Sequence, residues 1–158
     1  MRIVTAVSLA LALSLAGVAG ESLAMGSSTP SSAPAKPESD YSKGERAVKA
    51  KDYKGAIPLL EKVVASDPKN ADAFNYLGFS HRKLGDKDKA LANYKKALDI
   101  DPNHLGANEY LGELYLEMGD LPSAEQRLAT LDKFCKTCEE THELREAVEK
   151  FKKTGKAS

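Results

Sequence analysis

From residue 40 onward the apolar and small side chains fall three and four residues apart, the spacing that builds one face of a helix, and the whole pattern returns after 34 residues. Gly44, Gly78 and Gly112 are 34 apart, as are Asp52, Asp86 and Asp120, and Ala56, Ala90 and Ala124; Asp67-Pro68 recurs as Asp101-Pro102 at the same offset. Four independent sets of positions sharing one period predict stacked helix-turn-helix units, none of which can bury its apolar face alone. The units run over about residues 37–70, 71–104 and 105–136.

The middle unit shows how the pattern works. Phe74, Leu77, Gly78 and His81 share one face of a first helix, and Ala90, Tyr94, Ala97 and Leu98 share one face of a second. The two faces meet across the turn, with Gly78 and Ala90 small where the backbones come close. Gly85 suits the left-handed position that ends the first helix, and Asp86 can accept from the free N–H groups that start the second. Asp101-Pro102 stops the second helix, because the residue before proline is pushed out of the helical region. Pro58 lies about one turn into the second helix of the first unit, where it costs a backbone hydrogen bond unless that helix starts late.

These residues resemble the tetratricopeptide repeat family, whose pattern is W-x2-L-G-x2-Y, A-x3-F, P. The middle unit reads Phe74-x2-Leu77-Gly78-x2-His81, Ala90-x3-Tyr94, Pro102. The third reads Asn108-x2-Leu111-Gly112-x2-Tyr115, Ala124-x3-Leu128, with Lys136 in place of the proline. The first reads Asp40-x2-Lys43-Gly44-x2-Ala47, Ala56-x3-Leu60, Pro68, its polar departures being what a terminal repeat needs. The resemblance covers about two thirds of the chain and implies an all-α solenoid of three such repeats.

Residues 137–153 are read as a capping helix over the last apolar face, with Leu144, Ala147, Val148 and Phe151 at helical spacing. Thr137-x-x-Glu140 has the form of a capping box. Glu139, Glu140 and Glu143 at the start and Lys150, Lys152 and Lys153 at the end match the helix dipole, so these charges are read as structural.

The N-terminus follows another pattern. Met1-Arg2 precedes a charge-free apolar run over residues 3–19 that ends in small residues, the form of a secretory signal peptide. Ser22-Leu23-Ala24 suits cleavage after Ala24, with a second site near Ala19-Gly20; an uncleaved membrane anchor is the alternative, the run being close to the shortest that spans a bilayer. No Cys follows the run to carry a lipid. Residues 25–39, MGSSTPSSAPAKPES, hold almost nothing apolar to bury and are read as a flexible linker. The domains expected are thus 1–24 as signal peptide, 25–39 as linker and 40–153 as the repeat domain, in an exported protein, periplasmic in a bacterial cell.

Composition narrows the function. The 158 residues carry 23 Lys+Arg against 23 Asp+Glu, and removal of Arg2 and Glu21 with the signal leaves 22 of each. Without a basic run, nucleic acid is not an expected partner. No nucleophile–base pair, phosphate loop or H-E-x-x-H motif is present, so no enzyme activity and no cofactor is expected.

The resemblance implies a concave face, lined by the first helix of each unit, that holds a peptide or protein segment. The lining positions are Tyr41, Glu45 and Val48 in the first unit, then Asn75, Phe79, Arg82 and Lys83 in the second, then Glu109, Glu113 and Leu116 in the third, with Tyr76 and Tyr110 at the edge. Phe79 has either a groove or a core role. Family members that clamp chaperone C-termini use Lys, Asn and Arg at positions that fall here on Tyr41, Glu45, Tyr76, Gly106 and Tyr110; none matches, so that specificity is rejected. Glu45, Glu109, Glu113 and Glu117 point instead to a partner of some basic character.

Cys135-Lys136-Thr137-Cys138 is the one constellation that could react. In an exported chain its plain reading is a structural disulfide at the start of the capping helix. A redox pair and a metal site with His142 are the alternatives, the metal lacking a fourth ligand. Covalent haem is excluded by Glu139 where CxxCH requires His. His81 and His104 have packing and helix-start explanations. The expected protein is a non-catalytic adaptor or scaffold, with envelope-complex assembly as one role the resemblance implies. A thiol-redox accessory protein acting through Cys135 and Cys138 is the alternative, and self-association through exposed apolar ends a third reading.

Overall fold

A computed structural model describes residues 37–157. The expected signal peptide and most of the expected linker lie outside the described residues. Seven helices and no strand form this part of the chain: α1 (Asp40–Lys49), α2 (Tyr53–Ser66), α3 (Ala71–Lys83), α4 (Lys87–Ile100), α5 (Leu105–Glu117), α6 (Leu121–Phe134) and α7 (Glu139–Thr154). Helices pair as α1/α2, α3/α4 and α5/α6, each pair packs on the next, and α7 rests on both α5 and α6. The fold is an all-α solenoid of three helix pairs closed by a seventh helix. No helix among the described residues is long and apolar enough to cross a membrane.

The 34-residue period has a physical counterpart at each turn. Asp52, Asp86 and Asp120 are the N-caps of α2, α4 and α6, their side chains accepting from the backbone N–H of Gly55, Lys89 and Ser123. Gly85 and Gly119 precede two of these caps with φ of 85° and 80°, the left-handed conformation glycine adopts cheaply. The first unit departs, because its residue at that position is Lys51, with φ of 62°. A side chain there costs about 1 kcal/mol relative to the ordinary helical region. Asp67 and Asp101 end α2 and α4 in extended backbone, as the following prolines dictate.

Pro58 does not delay α2, which begins at Tyr53 and carries the proline inside. The bond it cannot donate is lost on the exposed side of the helix, where both Pro58 and Lys54 face water. Small residues sit at the close approaches. Ala56, Ala90 and Ala124 are fully buried. A Cβ on Gly44 would lie 2.9 Å from Leu60, and one on Gly78 2.6 Å from the Tyr94 ring, each on the second helix of the same unit. Gly112 breaks this rule: its close neighbour is Leu144 of α7, 2.6 Å from an added Cβ. The core beneath joins Leu116, Ala124 and Leu131 to Leu144, Ala147 and Val148.

The start of α7 corrects one expectation. Its N-cap is Cys138, with no side-chain capping bond, so the Thr137/Glu140 capping box does not form. Thr141 is buried instead, its hydroxyl donating to the Cys135 carbonyl at 2.6 Å. Cys135 and Cys138 stand 34 residues after Asp101 and His104, so the pair occupies the helix-stop and helix-start positions of the repeat.

Candidate functional site

The first helices of the three pairs, α1, α3 and α5, lie side by side, α3 touching both others. Their shared face carries a run of aromatic rings. Tyr41 and Tyr76 have centroids 6.2 Å apart, Phe79 lies 4.9 Å from Tyr110, and Tyr110 leads on to the fully buried Tyr94 at 6.3 Å. Tyr53, at the start of α2, meets Phe79 edge-on at 5.9 Å. Contacts at these distances and tilts are the favourable ones for aromatic pairs. Tyr53, Tyr76, Phe79 and Tyr110 stay half-buried, and with Val48, Lys49 and Lys51 they line an open cleft of about 330 Å³. Phe79 therefore does two jobs. Its ring joins the core between the first and second units to the core between the second and third, and part of it remains exposed in the cleft.

Two lysines line this cleft, Lys49 and Lys51, and a third, Lys83, reaches one of its rings. Lys49 and Lys83 are the last residues of α1 and α3, and Lys51 follows in the turn to α2. The Lys83 ammonium sits 5.0 Å from the centre of the Phe79 ring. Lys49 reaches Glu45 at 2.8 Å, and the Tyr76 hydroxyl donates to the same carboxylate at 3.1 Å. The Lys49 bond foremost, with Tyr76 adding to it, holds Glu45 below the usual carboxylate range. Burial, and then the Glu45 charge, pushes the Tyr76 phenol up to about 12, so it remains a donor.

Other expected lining residues point inward. Arg82 is buried, donating to Glu113 at 2.5 Å and to Glu117 at 2.7 Å from its Nε. Burial by itself would lower the guanidinium pKa, but the two carboxylates outweigh it and hold it above its ordinary value. Arg82 thus closes the seam between α3 and α5 and is not offered to a partner. Asn75 is 6% exposed and packs under Gly106. Glu109 is 3% exposed, beneath Glu140 and Glu143 of α7. Burial first, then hydrogen bonding to Glu143 and the Glu113 charge, pushes its carboxyl up to about 9. Leu116 is buried in the core under α7. The four glutamates that pointed to a basic partner are all engaged within the chain: Glu113 and Glu117 by Arg82, Glu45 by Lys49 and Tyr76, and Glu109 by burial.

The positions used by chaperone-clamping proteins do come together: Tyr41 against Tyr76, Tyr76 bonded to Glu45, and Gly106 beside Tyr110. They present rings and one carboxylate, with no cation among them. Val48 borders the cleft but is 7% exposed and belongs to the core beneath it. Lys51 and Tyr53 were not expected there, although the replacement of the repeat's glycine by Lys51 was a visible departure from the period.

At the far end, Cys135 and Cys138 have their Cα atoms 5.5 Å apart, within disulfide range. His104 caps α5, its Nδ1 accepting from Ala107, and its Nε2 lies 3.1 Å from Asp72. His81 is buried as a packing residue; burial lowers its pKa, although Asp86 stands 3.9 Å away. No group of three or more His, Cys, Asp or Glu among the described residues converges to hold a metal ion.

Two family models described as tetratricopeptide repeat match residues 71–104 and 93–126. Among curated proteins no significant match is found. Solved structures share the fold. The second such domain of human RPAP3, in complex with an HSP70 peptide, is 19% identical, with a TM-score of 0.64 over 70% of this chain and 92% of that one. The Yersinia enterocolitica type III secretion chaperone SycD, in complex with a peptide of the translocator YopD, is 22% identical, with a TM-score of 0.62 over 70% of this chain and 85% of that one. MamA AMB-1 is 26% identical, with a TM-score of 0.56 over 63% of this chain and 55% of that one.

Proposed function

We propose that this chain is a non-catalytic interaction adaptor that holds a peptide or protein segment against the concave face of its repeats. The observation that carries the reading is the open cleft between α1 and α3, lined by Tyr53, Tyr76, Phe79 and Tyr110. The four rings pack against the core on one side and leave part of each exposed in the cleft on the other, and rigid aromatic anchors in a concave setting are what binding hot spots are made of. Two proteins of the same fold carry peptides in their solved structures, which supports a segment of chain as the occupant.

The setting belongs to the same proposal. The charge-free run over residues 3–19 supports export, to the periplasm in a bacterial cell, where a Cys135–Cys138 disulfide would persist. Assembly of an envelope complex is the role proposed there.

Site-specific photo-crosslinking in cells tests the adaptor reading. A probe replaces Lys49 on the rim of the cleft, and a control probe replaces Lys95, exposed on α4. A discrete adduct from Lys49 and none from Lys95 is the expected result, and mass spectrometry of the adduct identifies the partner. Adducts from neither site, with both proteins folded and present, would remove the groove from consideration.

A further inference from the structure

The chemistry of the occupant follows from which charges around the cleft are already spent. The glutamates of the concave face are engaged within the chain, and Arg82 is consumed by two of them. Around Tyr53 and Phe79 what remains is positive, the Asp72 carboxylate at the Tyr41–Tyr76 edge lying 3.1 Å from His104 and Glu143 near Tyr110 being bonded to Glu109. Lys51 and Lys83 form no ion pair among the described residues, whereas Lys49 is spent on Glu45.

Lys49 and Lys83, which end their helices, could be there only to complement the helix dipoles. Lys51 has no such explanation. It stands where the other two units have Gly85 and Gly119, and it keeps a left-handed backbone that glycine would adopt more cheaply. A strained residue whose side chain borders the one aromatic cleft between α1 and α3 directs attention to that side chain. The third unit carries Glu117 at the position of Lys49 and Lys83, so the positive rim is confined to the cleft end of the face.

We propose that the cleft seats an aromatic or aliphatic side chain of the partner while Lys51 and Lys83 hold a carboxylate beside it, so that the partner segment is acidic. This rests on the adaptor reading, and it reverses the basic partner expected from the sequence. It also differs from a clamp at Tyr41, Glu45, Tyr76, Gly106 and Tyr110, where Glu45 would repel an anion.

Selection of a random twelve-residue peptide library displayed on phage, against the immobilised full chain, tests it. The double variant Lys51→Gly, Lys83→Gln serves as counter-screen; both residues are exposed, and the glycine relieves the left-handed backbone, so the variant folds. Enriched peptides are expected to pair an apolar residue with Asp, Glu or a free C-terminus. Their affinity should fall about three- to tenfold in the double variant, recover with Arg at both positions, and weaken as salt is raised. Enrichment of neutral or Lys/Arg-bearing peptides that bind both proteins equally would overturn the acidic assignment and leave the adaptor reading standing. No enrichment above a bare support would overturn both.

Discussion

Leu144 of α7 fills the space above Gly112 of α5, a place that Leu60 and Tyr94 fill over the equivalent glycines of the first two units. Those two side chains come from the second helix of their own unit. In the third unit the residue in register is Leu128, yet the closing helix supplies the contact. The seventh helix is thereby a part of the core and not a lid laid over it.

Removal of the Leu144 side chain measures that role. Leu144 is fully buried, and Leu144→Ala should lower the stability by about 3 kcal/mol, the usual cost of emptying a leucine site. Gly112→Ala should cost about 1 kcal/mol, because overpacking against Leu144 outweighs the gain in helix propensity. Gly78→Ala should cost more, since the stiff, buried Tyr94 ring cannot step aside. Urea denaturation of the three variants gives the order, and a neutral Leu144→Ala would show that α7 is loosely docked.

Arg82 makes the opposite point about a residue that reads as a binding position. Its pairing with Glu113 and Glu117 is internal, so Arg82→Met should leave Glu113 without its cation and Glu117 with only Lys87 at 3.8 Å, and cost about 3 kcal/mol. Glu113→Gln in that background should recover part of the loss, a coupling that a double-mutant cycle in urea reads directly. Partner crosslinking from Lys49, scored per folded molecule, should be unchanged. A loss of adduct with stability intact would return Arg82 to the binding face.

These two cases show what the sequence makes legible. The period, the Asp caps, the glycine turns and the Asp-Pro stops are local devices, each written in one or two residues, and each appears at its turn. The destination of α7 is not local. Leu144, Ala147 and Val148 announce an apolar face, but any exposed apolar surface would satisfy them, and only the packing selects Gly112. Arg82 was misplaced for a related reason. Its register mate one unit on is Leu116, and Glu113 and Glu117 flank that position on one face of α5. The pairing was implicit in the period but needed the inter-helix contact to be read. Lys51 was legible as a missing glycine, and its neighbour Tyr53 in the cleft was not.

The cysteine pair stands at the stop and start positions where the earlier units use Asp-Pro and a capping side chain. Closing so short a loop restrains few unfolded conformations, and Cys135→Ser with Cys138→Ser should lower stability by about 2 kcal/mol. Thermal melts with and without reductant check this, since the wild type under reductant should match the double variant. Partner crosslinking from Lys49 should survive the substitution below the melting range. Its abolition in a folded protein would favour a thiol-redox role.

Glu109 gives the chain a pH dependence of definite sign. Its carboxyl has an ordinary value near 4.5 in the unfolded chain and is pushed up to about 9 in the folded one, first by burial, then by hydrogen bonding to Glu143 and the Glu113 charge. Between those values the folded state binds the proton more tightly than the unfolded state, so this group's contribution is fully present below the lower value and is lost as pH rises through the upper one. Glu109 should therefore contribute a decline in stability from about pH 5 to about pH 9, opposed near pH 6 by His81, whose pKa burial lowers, with α7 the element driven off as Glu109 ionises beneath Glu140 and Glu143. Glu109→Gln keeps the shape, cannot ionise, and should flatten this slope and raise the urea midpoint at pH 9. An unchanged slope in the variant would mean that Glu109 ionises freely and that α7 does not cover it.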